Sequence, residues 1–253
     1  LLIQYVQLIL VMDKRKVEVC FSTALFPFHK SPNAHVVVVD ILRATSAICT
    51  AFANGAKGII PVATVDEARE YKEQGYMVAS ERDGIKIDFA DFGNSPYNFT
   101  PERVNGVEVV YSTTNGTQAI TMASSGLSVS IGSFLNLSAV ATWLNQQNEG
   151  DVLILCAGWK GKFCLEDTLF AGALTEMLID EYGFTTVCDS AKASLDLWSI
   201  AKPNLYGYVQ KVAQRYRLGK LGLDDVIEYC HTPNVTSIVP VLQRGILRPV
   251  SVG

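Results

Sequence analysis

A chain of 253 residues with 49% hydrophobic content is long enough to bury a substantial core and too apolar to be disordered. Its net charge of −4, with Lys and Arg scattered along the chain, gives no electrostatic footprint for nucleic acid, so no nucleic-acid partner is expected, and no run approaches the ~18 consecutive apolar residues of a membrane helix. Six cysteines without a CxxC spacing point to free, mostly buried thiols in a reducing compartment, so the expected location is cytoplasmic.

Leu1 to Met12 is apolar but short, and Lys14, Arg15 and Lys16 follow it, the reverse of a secretory signal. Residues 1–16 read as an extension with Met12 as the natural start, against an amphipathic anchor as the competing reading; residues 17–253 read as one domain. Val17 to Phe21 alternates as a first strand, and Pro27 with Ser31-Pro32-Asn33 marks a loop. Four valines, Val36 to Val39, then predict a strand buried on both faces. Asp40, Arg43, Thr45 and Ser46 follow where a helix, Ala44 to Ala53, begins. In an open α/β sheet the carboxyl ends of the strands form the ligand crevice, which sets Asp40 on its rim and the others on a helix N-terminus.

Gly58 to Val62 reads as a short strand, and Thr64 with Glu67 as a capping box opening a helix to Glu73 that Gly75 ends. Tyr76 to Ala79 is the next strand, running into Ser80-Glu81-Arg82-Asp83-Gly84; Asp88 to Pro101 is a loop. The pattern then starts over: strand Val107 to Val110, hydroxyl-rich turn, helix Gln118 to Ser124, strand Val129 to Ile131, helix Ser138 to Asn145. An offset of roughly 72 residues superposes the two stretches, the mark of duplicated α/β units, with two similar lobes of about 17–105 and 106–240 as one arrangement. Strand Val152 to Cys156 leads through Gly158-Trp159-Lys160-Gly161-Lys162 to a helix from Leu165 to Ile179. Helical pieces follow at Thr186 to Ser199, Leu205 to Val212 and Asp224 to Cys230, and Ser237 to Pro249 reads as an irregular strand or arm. The expected fold is a three-layer α/β/α domain on a mostly parallel or mixed sheet.

The strand ends carry complementary chemistry. Asp40 could be a helix N-cap or a site carboxylate. Arg43, in a first helical turn, opposes the macrodipole and calls for an anion nearby, a carboxylate or a bound phosphate or sulfonate. The turn Thr113, Thr114, Asn115, Gly116, Thr117 offers hydroxyls and backbone N–H groups at a helix start, suited to phosphate or to simple capping. Glu166 and Asp167 suit either the macrodipole or a metal, and because adjacent helical residues diverge by ~100°, one as ligand and the other supporting it is the expected division. Three scattered histidines offer no zinc spacing, so hard oxygen donors point to Mg²⁺. The chain has no P-loop, GxSxG elbow or GxGxxG turn. An Asp ending a valine run invites comparison with haloacid-dehalogenase-like phosphatases, but where they carry a second Asp this chain has Leu42.

Taken together, Asp40-Ile41-Leu42-Arg43-Ala44-Thr45-Ser46, Glu81-Arg82 before a Gly, Gly93-Asn94-Ser95-Pro96, Thr113 to Thr117, and Cys156-Ala157-Gly158 with Leu165-Glu166-Asp167 resemble the 2-phosphosulfolactate phosphatase family, in order and over most of the chain from Val17 to Val239. The resemblance implies Mg²⁺-dependent hydrolysis of 2-phospho-3-sulfolactate to 3-sulfolactate and phosphate, a coenzyme M biosynthesis step. On that reading Asp40, Arg43 and Glu166 are catalytic. Thr45, Ser46, Arg82, Asn94, Ser95, Thr113, Thr114, Asn115, Gly116, Thr117, Gly158 and Lys160 bind a small anionic substrate. Asp40, Glu81, Glu166 and Asp167 are the metal candidates. Water and Asp40 itself both remain open as the nucleophile, and a non-catalytic phosphate- or sulfonate-binding protein is the rival class. The short apolar N-terminus is compatible with a homodimer.

Overall fold

The computed structural model of the chain describes residues 14–29 and 32–252; the apolar segment before Lys14, the expected start at Met12, and Ser31 of the expected loop lie outside them. Ten strands form one sheet: β1 (Val17–Cys20), β2 (Ala34–Val39), β3 (Gly58–Pro61), β4 (Met77–Arg82), β5 (Ile85–Lys86), β6 (Glu108–Ser112), β7 (Ser128–Gly132), β8 (Asp151–Cys156), β9 (Ile238–Gln243) and β10 (Ile246–Ser251), in the order β1-β8-β2-β7-β9-β10-β3-β6-β4-β5. The longer helices are α1 (Ala44–Ala53), α2 (Val65–Glu73), α3 (Gly116–Ala123), α4 (Leu137–Gln146), α5 (Leu165–Asp180), α6 (Asp189–Ala201) and α7 (Ala213–Lys220). Thr64 and Glu67 close the expected capping box at the start of α2.

The valine run of β2 shows why the domain has three layers. Successive side chains of a strand point to opposite faces. Val37 and Val39 pack with Val140 and Leu144 of α4 and Phe170 and Leu174 of α5. Val36 and Val38 pack with Ile48 and Phe52 of α1 and Ile120 of α3. All six residues of β2 are buried, as a strand covered by helices on both sides must be.

The duplicated units exchange their first strands. β2 runs parallel between β7 and β8, and β6 runs parallel between β3 and β4. Each unit's opening strand thus lies between the second and third strands of the other, and a cut near residue 105 passes through both halves of the sheet. The helices that follow these strands, α1 and α3, share one core, so their N-termini are brought together.

Ser237 to Pro249 is not an arm but the hairpin that joins the halves. β9 and β10 pair antiparallel about Arg244 and Gly245, both at positive φ (51° and 83°), the two-residue turn whose twist suits a hairpin. β9 pairs with β7 at Ser130↔Val241 and β10 with β3 at Leu247↔Ile59. Pro240 and Pro249 made this run look irregular. They lie opposite one another, at a pair whose N–H groups the β9–β10 ladder does not use. Two further boundaries differ: α6 begins at Asp189 and the next helical turn ends at Val209, while α7 falls on a polar stretch, Ala213-Gln214-Arg215-Tyr216-Arg217, with too little apolar periodicity to be read as a helix.

Helix α5, which carries the acidic pair, is held from behind by α6. A Cβ on Gly172 would strike the Ser194 backbone carbonyl, a neighbour that cannot rotate away. Gly172→Ala should therefore lower stability by about 1–3 kcal/mol through overpacking; a thermal melt within about 1 °C of the parent would show that the two helices can part without loss.

Candidate active site

At the end of β2 the chain turns so that Asp40 accepts from the first amide of α1, Ala44 N to Oδ1, at 3.3 Å. Thr45 braces the turn: its Oγ1 donates to the Asp40 carbonyl at 3.0 Å, and its amide bonds the same carbonyl at 2.9 Å. Oδ2 of Asp40 faces α3. A Cβ on Gly116 would lie 3.0 Å from Oδ2 and 2.6 Å from the Ala44 Cβ, so only glycine lets the two helix starts meet around this carboxylate. The first amides of a helix lack partners within it and carry the positive end of its dipole. Two such ends therefore converge on Asp40, and the start of α5, bearing Glu166 and Asp167, lines the same cavity.

That cavity is bounded by Asp40, Arg43, Glu81, Asn94, Asn115, Gly158, Glu166, Asp167 and Gln214, among others. The loops after β2, β6 and β8 and the end of β4 are thus brought together, and Asp40 and Glu166 face one space. The four carboxylates are engaged to different degrees. Asp167 accepts from Ile41 N at 2.9 Å and Gly158 N at 3.1 Å, one amide on each oxygen. Glu81 accepts from Gly84 N at 2.6 Å and Thr114 N at 2.8 Å. Asp40 has one oxygen bonded to Ala44, and Glu166 has its own amide and the Cys164 thiol. Asp40 Oδ2 is therefore the least satisfied oxygen, while Glu166 is held only from within its own helical turn.

Burial dominates the electrostatics. It pushes the Asp40 carboxyl up to about 7, with Glu81 and Glu166 adding to the rise and Arg43 opposing it. Glu166 and Asp167 are also raised by burial, Asp167 further by Glu166 and Asp40. Buried carboxylates facing one another need positive charge, and a hard divalent cation meets that need with oxygen donors. Among the described residues no three of His, Cys, Asp and Glu stand close enough to cage an ion. Two protein carboxylates with water and phosphoryl oxygens is the ordinary way to hold Mg²⁺, and the donor set fits it.

Other residues picked from the sequence are placed as follows. Arg43 is buried at the N-cap of α1, donates to the Gly84 carbonyl at 3.1 Å, and faces the cavity. Thr45 and Ser46 lie beneath the floor; Ser46 Oγ bonds the Ile41 carbonyl and Ser133. Thr113 and Thr117 bond each other, side chain to amide, at 3.2 Å both ways, and Thr114 supports Glu81. Arg82 turns away, donating to the Glu81 carbonyl and to Ser112 Oγ. Lys160 pairs with Asp83 at 2.7 Å on the surface, while its amide bonds Asn115 Oδ1 at 2.9 Å. Ser95 lies in a wider groove that adjoins the cavity through Arg43, Gly84 and Asn94. Sequence reasoning did not select Gln214 and Trp159 on the cavity wall, or Tyr111, a fully buried strand residue whose hydroxyl has no partner among the described residues. No motif marked Gln214, and Tyr111 lies just past the expected strand end at Val110, within the observed β6.

Comparison with known proteins adds a direct line of support. A sequence model of the family described as 2-phosphosulpholactate phosphatase matches residues 20–245. The chain is 41% identical to a probable 2-phosphosulfolactate phosphatase of Caldanaerobacter subterraneus subsp. tengcongensis, over 85% of this chain and 90% of the relative. Proteins of the same description from Thermotoga maritima (39% identity, 83% and 89% covered) and Clostridium acetobutylicum (34%, 91% and 98%) are also similar.

Proposed function

The chain belongs to the 2-phosphosulpholactate phosphatase family, and we propose that its cavity hydrolyses a phosphate monoester, 2-phospho-3-sulfolactate, to 3-sulfolactate and phosphate with the aid of Mg²⁺. The observation that carries this reading is the meeting of three helix N-termini, the Arg43 guanidinium and four carboxylates in one buried space. Each helix start and the guanidinium can take phosphoryl oxygens, and the carboxylates suit the cation that accompanies them. Free thiols at all six cysteines favour a reducing, cytoplasmic setting. Among the described residues no helix is long and apolar enough to cross a membrane.

Asp40 and Glu166 would hold the ion, Asp167 and Glu81 being tied to two amides each from neighbouring loops. Bound there, Mg²⁺ would offset charge on the phosphoryl oxygens and lower the pKa of a water. The chain's own residues do the rest. Arg43 and the positive ends of α1 and α3 orient the phosphoryl group, since positioning and electrostatics dominate phosphoryl transfer. Asp167, pinned through both oxygens, fixes the Ile41 and Gly158 amides and so the shape of the floor. The groove beyond Arg43 and Asn94 takes the alcohol portion.

Purified protein incubated with 2-phospho-3-sulfolactate, or with a chromogenic phosphomonoester, should release phosphate with Mg²⁺ and stop with EDTA. No metal-dependent release from either compound would favour a protein that only binds anions. A phosphoenzyme trapped on Asp40 would assign it as nucleophile rather than water.

A further inference from the structure

Helix α7 is short and polar, yet Gln214 on it is only 5% exposed and lines the catalytic cavity. Three positions on, and so on the same side of the helix, Arg217 donates from Nε to the Gln214 Oε1. An arginine only donates, so this contact decides which end of the amide is which. The oxygen is held by Arg217, and the Nε2 group, with two N–H donors and no protein acceptor among the described residues, is left for the cavity. Arg217 is itself fixed, its guanidinium 4.7 Å from the centroid of Trp159, which also lines the cavity. Val212 and Leu218, both buried in the main core, anchor the helix on either side of the pair. The pair thus leaves a buried, cavity-lining amide with unmatched donors beside the place where phosphoryl oxygens are expected.

We propose that Gln214 is a substrate-contacting donor of this site and that Arg217 is its positioning residue, acting through the Gln214 carbonyl and the face of Trp159. The assignment rests on the phosphatase reading for its role in turnover, but not for its role in anion binding.

Two readouts test it: steady-state kinetics on the phosphomonoester and calorimetric titration with inorganic phosphate in the presence of Mg²⁺. Gln214→Ala should weaken phosphate binding and lower kcat/KM roughly 10- to 100-fold, the loss of one hydrogen bond to a charged group. The isosteric Gln214→Glu should lose more, since it keeps an acceptor for Arg217 but replaces donors with charge. Arg217→Ala should show a similar loss, and Arg217→Lys should not restore it because a lysine has neither the fork nor the flat face. The double alanine variant should be no worse than Gln214→Ala alone. Arg215→Ala, on the same helix but bonded to Gln210, should behave as the parent. Folded single variants with parental kinetics and phosphate affinity, losses that multiply in the double variant, or a parent that takes up no phosphate would each overturn the assignment. A parent that binds phosphate but hydrolyses no ester removes the phosphatase reading alone, and the titrations still decide Gln214.

Discussion

Asp40→Asn is expected to reduce kcat by about 10³-fold or more while leaving the protein folded, a loss of about 4 kcal/mol in transition-state stabilisation. Asparagine keeps the shape and the acceptor for Ala44 N, whose bond to Oδ1 sets the turn into α1. What it removes is the negative charge on Oδ2, the oxygen that faces Gly116 and the meeting of two helix starts. Either role left open for Asp40, ion ligand or nucleophile, needs that charge. Phosphate release measured beside a melting curve checks the expectation, and near-normal turnover in a folded variant would remove Asp40 from the chemistry.

Without divalent ion, stability should fall as pH rises from about 4 to about 7, and Mg²⁺ should restore it. The sign follows from proton uptake. A carboxyl raised by burial holds its proton in the folded state at a pH where the unfolded chain has lost it, so the folded state binds more protons across that window and loses stability as pH increases. Taking Asp40 from the ordinary 3.8 to about 7 corresponds to about 4 kcal/mol at the upper limit, at 1.36 kcal/mol per pH unit. Glu166 and Asp167, shifted in the same direction, act in the same sense. In a chain of this size that is a drop on the order of 10 °C in melting temperature. A cation bound between the carboxylates stabilises the folded state in proportion to its occupancy, so the curves with and without Mg²⁺ should part at pH 8 and come together near pH 5. Metal-free protein that melts higher at pH 8 than at pH 5 would contradict the burial of these charges. Asp40→Asn should flatten the pH slope, which ties the two results to one residue.

The elements were legible wherever local chemistry repeats at a fixed period. Val36 to Val39, the Thr64–Glu67 capping box and the span of α1 follow from side chains within a few positions of each other, and the structure has them where the pattern puts them. Asp40 and Glu81 stood out because charge at the end of an apolar run is costly to hide without a purpose, and Glu166 because an acid in a first helical turn suits the macrodipole or a metal. Arg82 stood out for the same reason, but whether a side chain turns toward the cavity or toward Ser112 is decided by neighbours 30 residues away. Gln214 carried no such signal: it is a polar residue on a polar helix, and it matters only because the fold sets that helix over the cavity.

By itself the sequence determined the building units, their duplication and the chemistry at their tips, because periodicity, capping and charge are properties of neighbouring residues. The exchange of strands between the units, the C-terminal hairpin that joins the two halves of the sheet and the meeting of Gly116 with Asp40 emerge only in the folded chain. Those outcomes depend on pairings between residues from about 30 to about 190 positions apart, and strand partners so distant are chosen by how whole faces bury together.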